Sequence, residues 1–172
     1  MAPAAFSSTA PLERHHRVDA FDCGEPALNL WLTRFALVNQ RNDASKTRVI
    51  ATDDGRVLGY YSLAAGSVAY AEAPARVSHR VARHPIPVVV LTRLAVDEQV
   101  QGAGLGRALL RDALTVVADV SETVGIRALL IHAKNEAARE WYLRQAEFES
   151  VPSLPNNLFL LIKDLRRAVG TG

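Results

Sequence analysis

The sequence predicts one α/β domain in which helices pack on a mixed β-sheet. A chain of 172 residues, 49% of them hydrophobic, suits a single globular domain with a buried core. Segments with strand and helix periodicity alternate, in the approximate order β-α-β-β-β-α-β-α-β. A glycine-rich turn joins the central strand to an amphipathic helix within 88–107. We expect the domain to span 1–172, with a flexible tail over the small and polar residues 1–12.

The first half of the chain predicts one helix and a hairpin. The helix covers about 27–41, because Pro26 suits a first helical position and five apolar side chains share one face. These side chains are Leu28, Trp31, Leu32, Phe35 and Val38. Strands at 47–52 and 57–68 flank the turn Asp53-Asp54-Gly55-Arg56. Residues 70–85 are less regular, although the stretch from Tyr70 to Arg83 could include a helix.

The second half alternates strands and helices. Pro85 and Pro87 precede the central strand, about 88–97, and the helix at about 104–122 ends before Gly125. That helix has Leu105, Leu109, Leu110, Ala113, Val116 and Val117 at helical spacing. The remaining predicted elements are a strand at 128–133, a helix at 136–144 and a last strand at 158–162.

Charge and cysteine content exclude several classes of protein. The net charge is only +2, yet the segment Pro74–Pro87 holds three arginines and two histidines without an acid. Such a segment is either a solvated loop or a surface for phosphate-rich partners. No apolar stretch approaches the roughly 18 residues that a membrane span needs. Cys23 is the single cysteine, so an internal disulfide and a cysteine-cluster metal site are excluded, which suits the cytoplasm.

The most informative motif is the turn Gln101-Gly102-Ala103-Gly104-Leu105-Gly106 between strand and helix. Backbone N–H groups at a helix N-terminus hold phosphate, so we expect a phosphorylated cofactor. A P-loop is excluded, because Arg107-Ala108 stands where that motif needs Lys-Ser/Thr. A dinucleotide fingerprint is disfavoured by the G-x-G-x-G spacing and by the absence of an acid after the strand that ends at His132-Ala133.

The turn resembles motif A of the GNAT N-acetyltransferases, Q/R-x-x-G-x-G/A. Asn135, Ala138 and Tyr142 reproduce the second signature of that family, N-x-x-A-x-x-x-Y, and the resemblance covers about 47–163. It implies the acyl-CoA N-acyltransferase fold and acetyl-CoA as cofactor, with its pyrophosphate on the turn. The Gly-Phe pair that usually follows the tyrosine is replaced by Ala146-Glu147, with Phe148 one position late.

The same resemblance implies the site residues. The expected cofactor contacts are Leu94, Ala95, Val96, Gln101, Gly102, Ala103, Gly104, Leu105, Gly106, Arg107 and Asn135. Tyr142 stands at the general-acid position, where a phenol with a pKa of about 10 stays protonated; the alternative is a packing tyrosine. His132 is either a candidate base or a residue with a structural or substrate-side hydrogen-bonding role. A base is not required, because an α-amine with a pKa near 8 can lose its proton to water. Cys23 is expected to be a structural thiol.

Four further segments resemble the TacT/AtaT type of bacterial GNAT toxin over nearly the whole chain. They are Phe21–Asn29, Gly59–Val68, Pro85–Val88 and Ile162–Leu165. This resemblance implies acetylation of the α-amino group of the amino acid on charged tRNA, which blocks translation. It also implies a ribbon-helix-helix antitoxin, a homodimer and a cytoplasmic location.

Arginines are the expected contacts to tRNA phosphates. We predict this role for Arg76, Arg80, Arg83 and Arg93, while Arg93 could instead be a strand-surface charge or a partner of Asp97. Two other functions remain open at this stage. One is a GNAT enzyme acting on a small amine or a protein N-terminus, and the other is a non-catalytic acyl-CoA-binding regulatory module.

Overall fold

The computed structural model describes residues 8–170 and shows the predicted mixed sheet flanked by helices. The strands are β1 (Ala10–Pro11), β2 (Lys46–Ala51), β3 (Val57–Val68), β4 (Ile86–Val96), β5 (Ala128–His132), β6 (Glu149–Val151) and β7 (Leu154–Leu161). They form one seven-stranded sheet in the order β1-β2-β3-β4-β5-β7-β6. The pair β4 and β5 is parallel, whereas β1–β2, β2–β3, β5–β7 and β6–β7 are antiparallel.

Six α-helices accompany the sheet within the described residues. They are α1 (Pro26–Leu30), α2 (Ala36–Arg41), α3 (Ala75–Ser78), α4 (Leu105–Ser121), α5 (Glu136–Leu143) and α6 (Ile162–Ala168). The buried side of α4 carries Leu105, Leu109, Leu110, Ala113, Leu114, Val117 and Ala118. None of the helices in residues 8–170 is long and apolar enough to cross a membrane.

The described chain forms two compact units, each with its own apolar core. The first unit holds 8–64 and 92–112, and the second holds 65–91 and 113–170. The first core contains Leu12, Phe21, Trp31, Leu32, Ala36, Val49, Val57, Tyr60 and Ala95. The second contains Val68, Ala73, Val77, Ile86, Val88, Ala128, Leu130, Phe159 and Leu161.

The expected tail over 1–12 is wrong for its last residues. Ala10 and Pro11 pair with Val49 and Arg48 of β2, and Leu12 is 3% exposed. The short strand and the buried leucine gave no periodic signal, because the paired stretch is only two residues long. Residues 1–7, the rest of the expected tail, lie outside the described residues.

The predicted helix over 27–41 exists, but a π-helical turn, Trp31–Phe35, separates α1 from α2. A π turn places one more residue in the turn than an α-helix does, so the buried face shifts along the chain. The core residue after Leu32 is therefore Ala36, which is fully buried, and not Phe35, which is 47% exposed. Val38, also predicted on the buried face, is 50% exposed.

The end of the chain differs most from the prediction. The last strand was expected at 158–162, whereas β7 begins at Leu154 and Ile162 already opens α6. The short strand β6 was not predicted, because its three half-buried residues carry no alternation. Between Tyr70 and Arg83 the possible helix is short: a 3₁₀ turn, Tyr70–Glu72, precedes α3.

Candidate active site

The glycine turn after β4 has a backbone that only glycine adopts readily. Gly102 and Gly104 have φ angles of 84° and 87°, in the left-handed region. A Cβ at either position would meet no heavy atom within 4 Å. The two glycines are therefore required by backbone conformation, and the space in front of them is open to a ligand.

The turn presents unpaired backbone donors. The carbonyl of Gly104 accepts the first bond of α4, from the N–H of Ala108 at 3.1 Å. The N–H groups of 102–107 have no acceptor within residues 8–170. They are grouped at the N-terminus of a 17-residue helix, where the partial positive charge favours an anion.

Arg107 adds a full positive charge to this helix terminus. It lies exposed in the first turn of α4, which contains no acidic residue. A cation is unfavourable at a helix N-terminus, where the dipole favours Asp or Glu. The placement makes physical sense when an anion such as a pyrophosphate occupies the turn.

The end of β4 extends beyond its ladder with β5. That parallel ladder covers Val88–Leu91, so Thr92–Val96 continue past it. Within this stretch Ala95 is buried, while Leu94 and Val96 are half-buried. Main-chain N–H and C=O groups on that side of the strand are therefore placed to pair with an extended ligand.

Hydrogen bonds with the segment Phe21–Pro26 position the start of the turn. The N–H of Glu98 donates to the carbonyl of Asp22 at 2.8 Å, and the N–H of Asp22 donates to Asp97 Oδ2 at 3.1 Å. The Gln101 side-chain amide donates to the carbonyls of Val96 at 2.9 Å and Cys23 at 3.3 Å. The side chain of Gln101 therefore fixes the backbone of the turn.

Asp97 supports the start of the turn, a role that the sequence analysis does not predict. It is 2% exposed and caps the 3₁₀ turn Glu98–Val100, accepting at Oδ1 from the N–H of Gln99 at 2.9 Å. Its nearest cation is Arg56, at 3.9 Å. The sequence does contain a signal for this role, because an aspartate directly after a buried strand is a typical cap for the turn that follows.

Tyr142 is buried in α5 among aromatic rings. Its ring centroid lies 5.0 Å from that of Trp141 and 6.2 Å from that of Phe148, both in edge-on contact. Burial raises the pKa of Tyr142 to about 12. Its hydroxyl has no hydrogen-bond partner in the described chain. Because its pKa is raised, the hydroxyl stays protonated and can donate. Phe148 occupies this aromatic contact despite the altered sequence that precedes it.

Asn135 and His132 flank the start of α5. Asn135 is the N-cap of the helix, and its Oδ1 accepts from the N–H of Ala138 at 2.8 Å. His132 is exposed, with Nδ1 at 2.9 Å from Oδ1 of Asn157. The capping bond explains why an asparagine stands at this position. The side-chain N–H groups of Asn135 remain available to donate to a ligand.

The four predicted tRNA-binding arginines have different environments. Arg76 forms ion pairs with Asp164 and Glu149, and hydrogen bonds to these carboxylates raise its pKa. Arg80 is exposed with a φ of 59°, and Arg83 lies 5.6 Å from the ring centroid of Tyr70.

Arg93 stacks on Trp31, with 4.2 Å between its Cζ and the ring centroid. The alternative in which Arg93 pairs with Asp97 is wrong, because the nearest cation to Asp97 is Arg56. Stacking on the indole face holds the guanidinium in place by a cation–π interaction.

The Cys23 thiol is 3.7 Å from the carbonyl of Glu25, next to the helix α1. Within residues 8–170, no group of three or more His, Cys, Asp or Glu side chains could hold a metal ion.

Comparison with known proteins identifies the family of this chain. Residues 12–148 match the model of the Acetyltransferase (GNAT) family. The chain is 44% identical over 167 residues to the tRNA-acetylating toxin of Mycobacterium tuberculosis (strain ATCC 25618 / H37Rv), covering 97% of this chain and 99% of the relative.

Solved structures of two toxins share the fold. A tyrosine-to-phenylalanine mutant of KacT matches with a TM-score of 0.87 and 30% identity, covering 93% of this chain and 97% of that one. AtaT complexed with acetyl-methionyl-tRNAfMet matches with a TM-score of 0.85 and 32% identity, over the same shares of the two chains. The family match over residues 12–148 and the 44% identity to a tRNA-acetylating toxin show that the chain belongs to the GNAT family of acetyltransferases.

Proposed function

We propose that this protein is a toxin that transfers the acetyl group of acetyl-CoA to the α-amino group of aminoacyl-tRNA and so blocks translation. The observation that carries the proposal is the 44% identity, over 97% of the chain, to a tRNA-acetylating toxin. AtaT, which is 32% identical, has been solved with acetyl-methionyl-tRNAfMet and with acetyl-CoA. An acetylated α-amine has no nucleophilic lone pair, so it cannot form the next peptide bond.

The glycine turn and the end of β4 would hold the cofactor. We assign the pyrophosphate to the N–H groups of 102–107 and to the charge of Arg107, because these donors and this cation lack protein partners in the described chain. The main chain of Leu94–Val96 would pair with the pantetheine arm in the manner of an added strand. Gln101 would act mainly by fixing the turn, and we also assign the amide of Asn135 to the cofactor.

Tyr142 would serve as the proton donor. Acetyl-CoA supplies an activated thioester, and its departing thiolate is stabilised by a hydrogen bond from a nearby hydroxyl. A phenol with a pKa of about 12 is protonated at every physiological pH, so the donor is always in its active form. The α-amine needs no dedicated base, since its pKa near 8 leaves a useful neutral fraction in water.

The same relatives support an antitoxin as a partner. AtaT has been solved with the C-terminus of its antitoxin AtaR, and the AtaT–AtaR complex has been solved on DNA. We propose that this chain also has an antitoxin, of the ribbon-helix-helix type, that it forms a homodimer and that it acts in the cytoplasm. Arg76, Arg80, Arg83 and Arg93 would meet the tRNA backbone.

The direct test is acetyl transfer from labelled acetyl-CoA to purified aminoacyl-tRNAs. We expect label on the amino acid of at least one charged tRNA. Tyr142→Phe, which removes only the hydroxyl, should bind acetyl-CoA normally and lower turnover by roughly 10²–10⁴-fold. Equal turnover by the two proteins would contradict the acid role. Transfer to small amines or protein N-termini, without transfer to any charged tRNA, would favour an ordinary GNAT enzyme instead.

A further inference from the structure

A basic cleft lies beside α3 in the second compact unit. Its volume is about 470 Å³, and its lining includes Arg76, His79, Arg127, Lys163 and Arg166. The cleft lining contains no acidic residue. The chain as a whole is close to neutral, so this concentration of positive charge is a local feature.

Carboxylates outside the lining neutralise only part of this charge. Arg76 pairs with Asp164 and Glu149, and Arg166 pairs with Glu122 at 3.3 Å. Neither Arg127 nor Lys163 has a carboxylate partner within residues 8–170. The cleft therefore keeps a net positive charge after its internal ion pairs are formed.

The guanidinium of Arg127 is held rigidly. It donates to the carbonyls of Val77 at 2.7 Å, Arg76 at 2.9 Å and His79 at 3.1 Å. These bonds satisfy hydrogen-bond donors but leave the positive charge without a counter-ion. A fixed charge of this kind loses little conformational entropy when an anion binds.

The surface that continues from the cleft suits RNA better than an acidic peptide. The acid-free segment from Pro74 to Pro87 passes through Arg76 and His79 and carries Arg80 and Arg83 farther on. Arg83 lies over the half-exposed ring of Tyr70. Planar aromatic and guanidinium groups stack with unpaired bases, while spaced cations follow the repeated charge of a phosphate backbone.

We propose that this cleft binds the ribose-phosphate backbone of the tRNA substrate, with Arg127 and Lys163 as phosphate contacts beyond the arginines of the 74–87 segment. The proposal rests on the proposed function and names a surface for that substrate. Neither residue belongs to a basic run in the sequence: Arg127 precedes β5, and Lys163 lies in α6.

Lys163 is the position to test, because it is exposed and no described residue pairs with it. Arg127 is unsuitable, since its loss would leave three backbone carbonyls without a donor. The matched control is Lys46→Ala, an exposed lysine in the first compact unit whose partners among residues 8–170 are Asp43 and the carbonyl of Gln40. Thermal unfolding of each variant establishes that it is folded.

The measurement is binding of purified uncharged tRNA across a salt series. One phosphate contact contributes a slope of about −0.7 to −0.9 in log affinity against log salt, which is roughly five- to eightfold at 0.1 M. We expect Lys163→Ala to weaken tRNA binding by about that factor and to flatten the salt slope by about that amount. Lys163→Glu should weaken it further, and acetyl-CoA affinity should not change. Lys46→Ala should behave as wild type.

Unchanged tRNA binding by Lys163→Glu, or no tRNA binding by the wild type, would overturn the proposal. The proposal would also be overturned if binding of polyglutamate depends on Lys163 and binding of tRNA does not. That outcome would assign the cleft to an acidic protein segment. The failure of the proposed function looks different. In that case tRNA binding still depends on Lys163, but no charged tRNA is acetylated.

Discussion

At the residue scale, Arg107 is a side chain that would bind the ligand while it destabilises the helix terminus. The first turn of α4 ends in unpaired N–H groups that favour a negative charge, yet it contains a cation and no acid. Interactions of this kind contribute about 0.3–1 kcal/mol at an exposed helix terminus. The unliganded protein therefore has an unfavourable interaction at this terminus, which the proposed pyrophosphate would make favourable.

Arg107→Glu should separate stability from cofactor binding. We expect the unliganded variant to unfold about 2–4 °C higher for each kcal/mol gained, because an acid suits this turn. Its affinity for acetyl-CoA should fall at least tenfold, because a carboxylate repels the pyrophosphate. Thermal unfolding without ligand and calorimetry with acetyl-CoA measure the two effects. Unchanged affinity would contradict the assignment of the pyrophosphate to this turn.

The residue identities predicted the glycine turn, but they did not predict the hydrogen bonds and ion pairs around it. The order of strand, glycines and helix predicted a turn with Gly102, Gly104 and Gly106, and the first two have the positive φ that favours glycine. The burial of Asp97 and its bond to the Asp22 N–H join positions 75 residues apart in sequence, which no local pattern reveals. The ion pairs of Arg76 with Glu149 and Asp164 are equally non-local, so charge counting treated a partly neutralised arginine as a free one.

At the element scale, local periodicity predicted long elements and missed irregular ones. Strands β3 and β4 and helices α4 and α5 match their predicted ranges within two residues at each end. The π turn at Trp31–Phe35 escaped prediction, because a single extra residue in a turn leaves composition unchanged while it moves the buried face. The two-residue strand β1 depends on its pairing with β2, which is set by the tertiary fold.

The effect of a glycine-to-alanine substitution in or near the turn should depend on the backbone conformation at that position. Gly104→Ala places a Cβ at a φ of 87°, which costs about 1–2 kcal/mol although the space is open. We expect a lower midpoint of unfolding and a several-fold weaker acetyl-CoA affinity as the turn relaxes. Gly125→Ala is the matched control, because that position is also open and has no positive φ. Equal behaviour of the two variants would show that the turn tolerates other conformations.

At the scale of the whole molecule, the pH profile of catalysis reports which groups titrate in the working range. The α-amine of the substrate has a pKa near 8, whereas burial raises the pKa of Tyr142 to about 12. The reactive amine is the deprotonated form and the active phenol is the protonated form. Activity should therefore rise as pH increases through about 8 and should not fall again until Tyr142 ionises.

We expect kcat/KM for aminoacyl-tRNA to rise about tenfold per pH unit below 7 and to level off above 9. Steady-state rates from pH 6 to 10, limited by ester stability at the alkaline end, provide the measurement. Tyr142→Phe should show a lower profile of the same shape. A falling limb between pH 7 and 9 would mean that a different acid, or a Tyr142 perturbed by the cofactor, controls the reaction.

We expect the stretch Thr92–Val96, which continues past the ladder with β5, to affect solubility as well. Unpaired main-chain groups on a strand are a template for pairing with another polypeptide, and folded proteins normally cover them. In this protein, bound acetyl-CoA would cover these main-chain groups. A cell short of acetyl-CoA would then hold a toxin that is both idle and prone to self-association, and light scattering of the unliganded protein should fall when CoA is added.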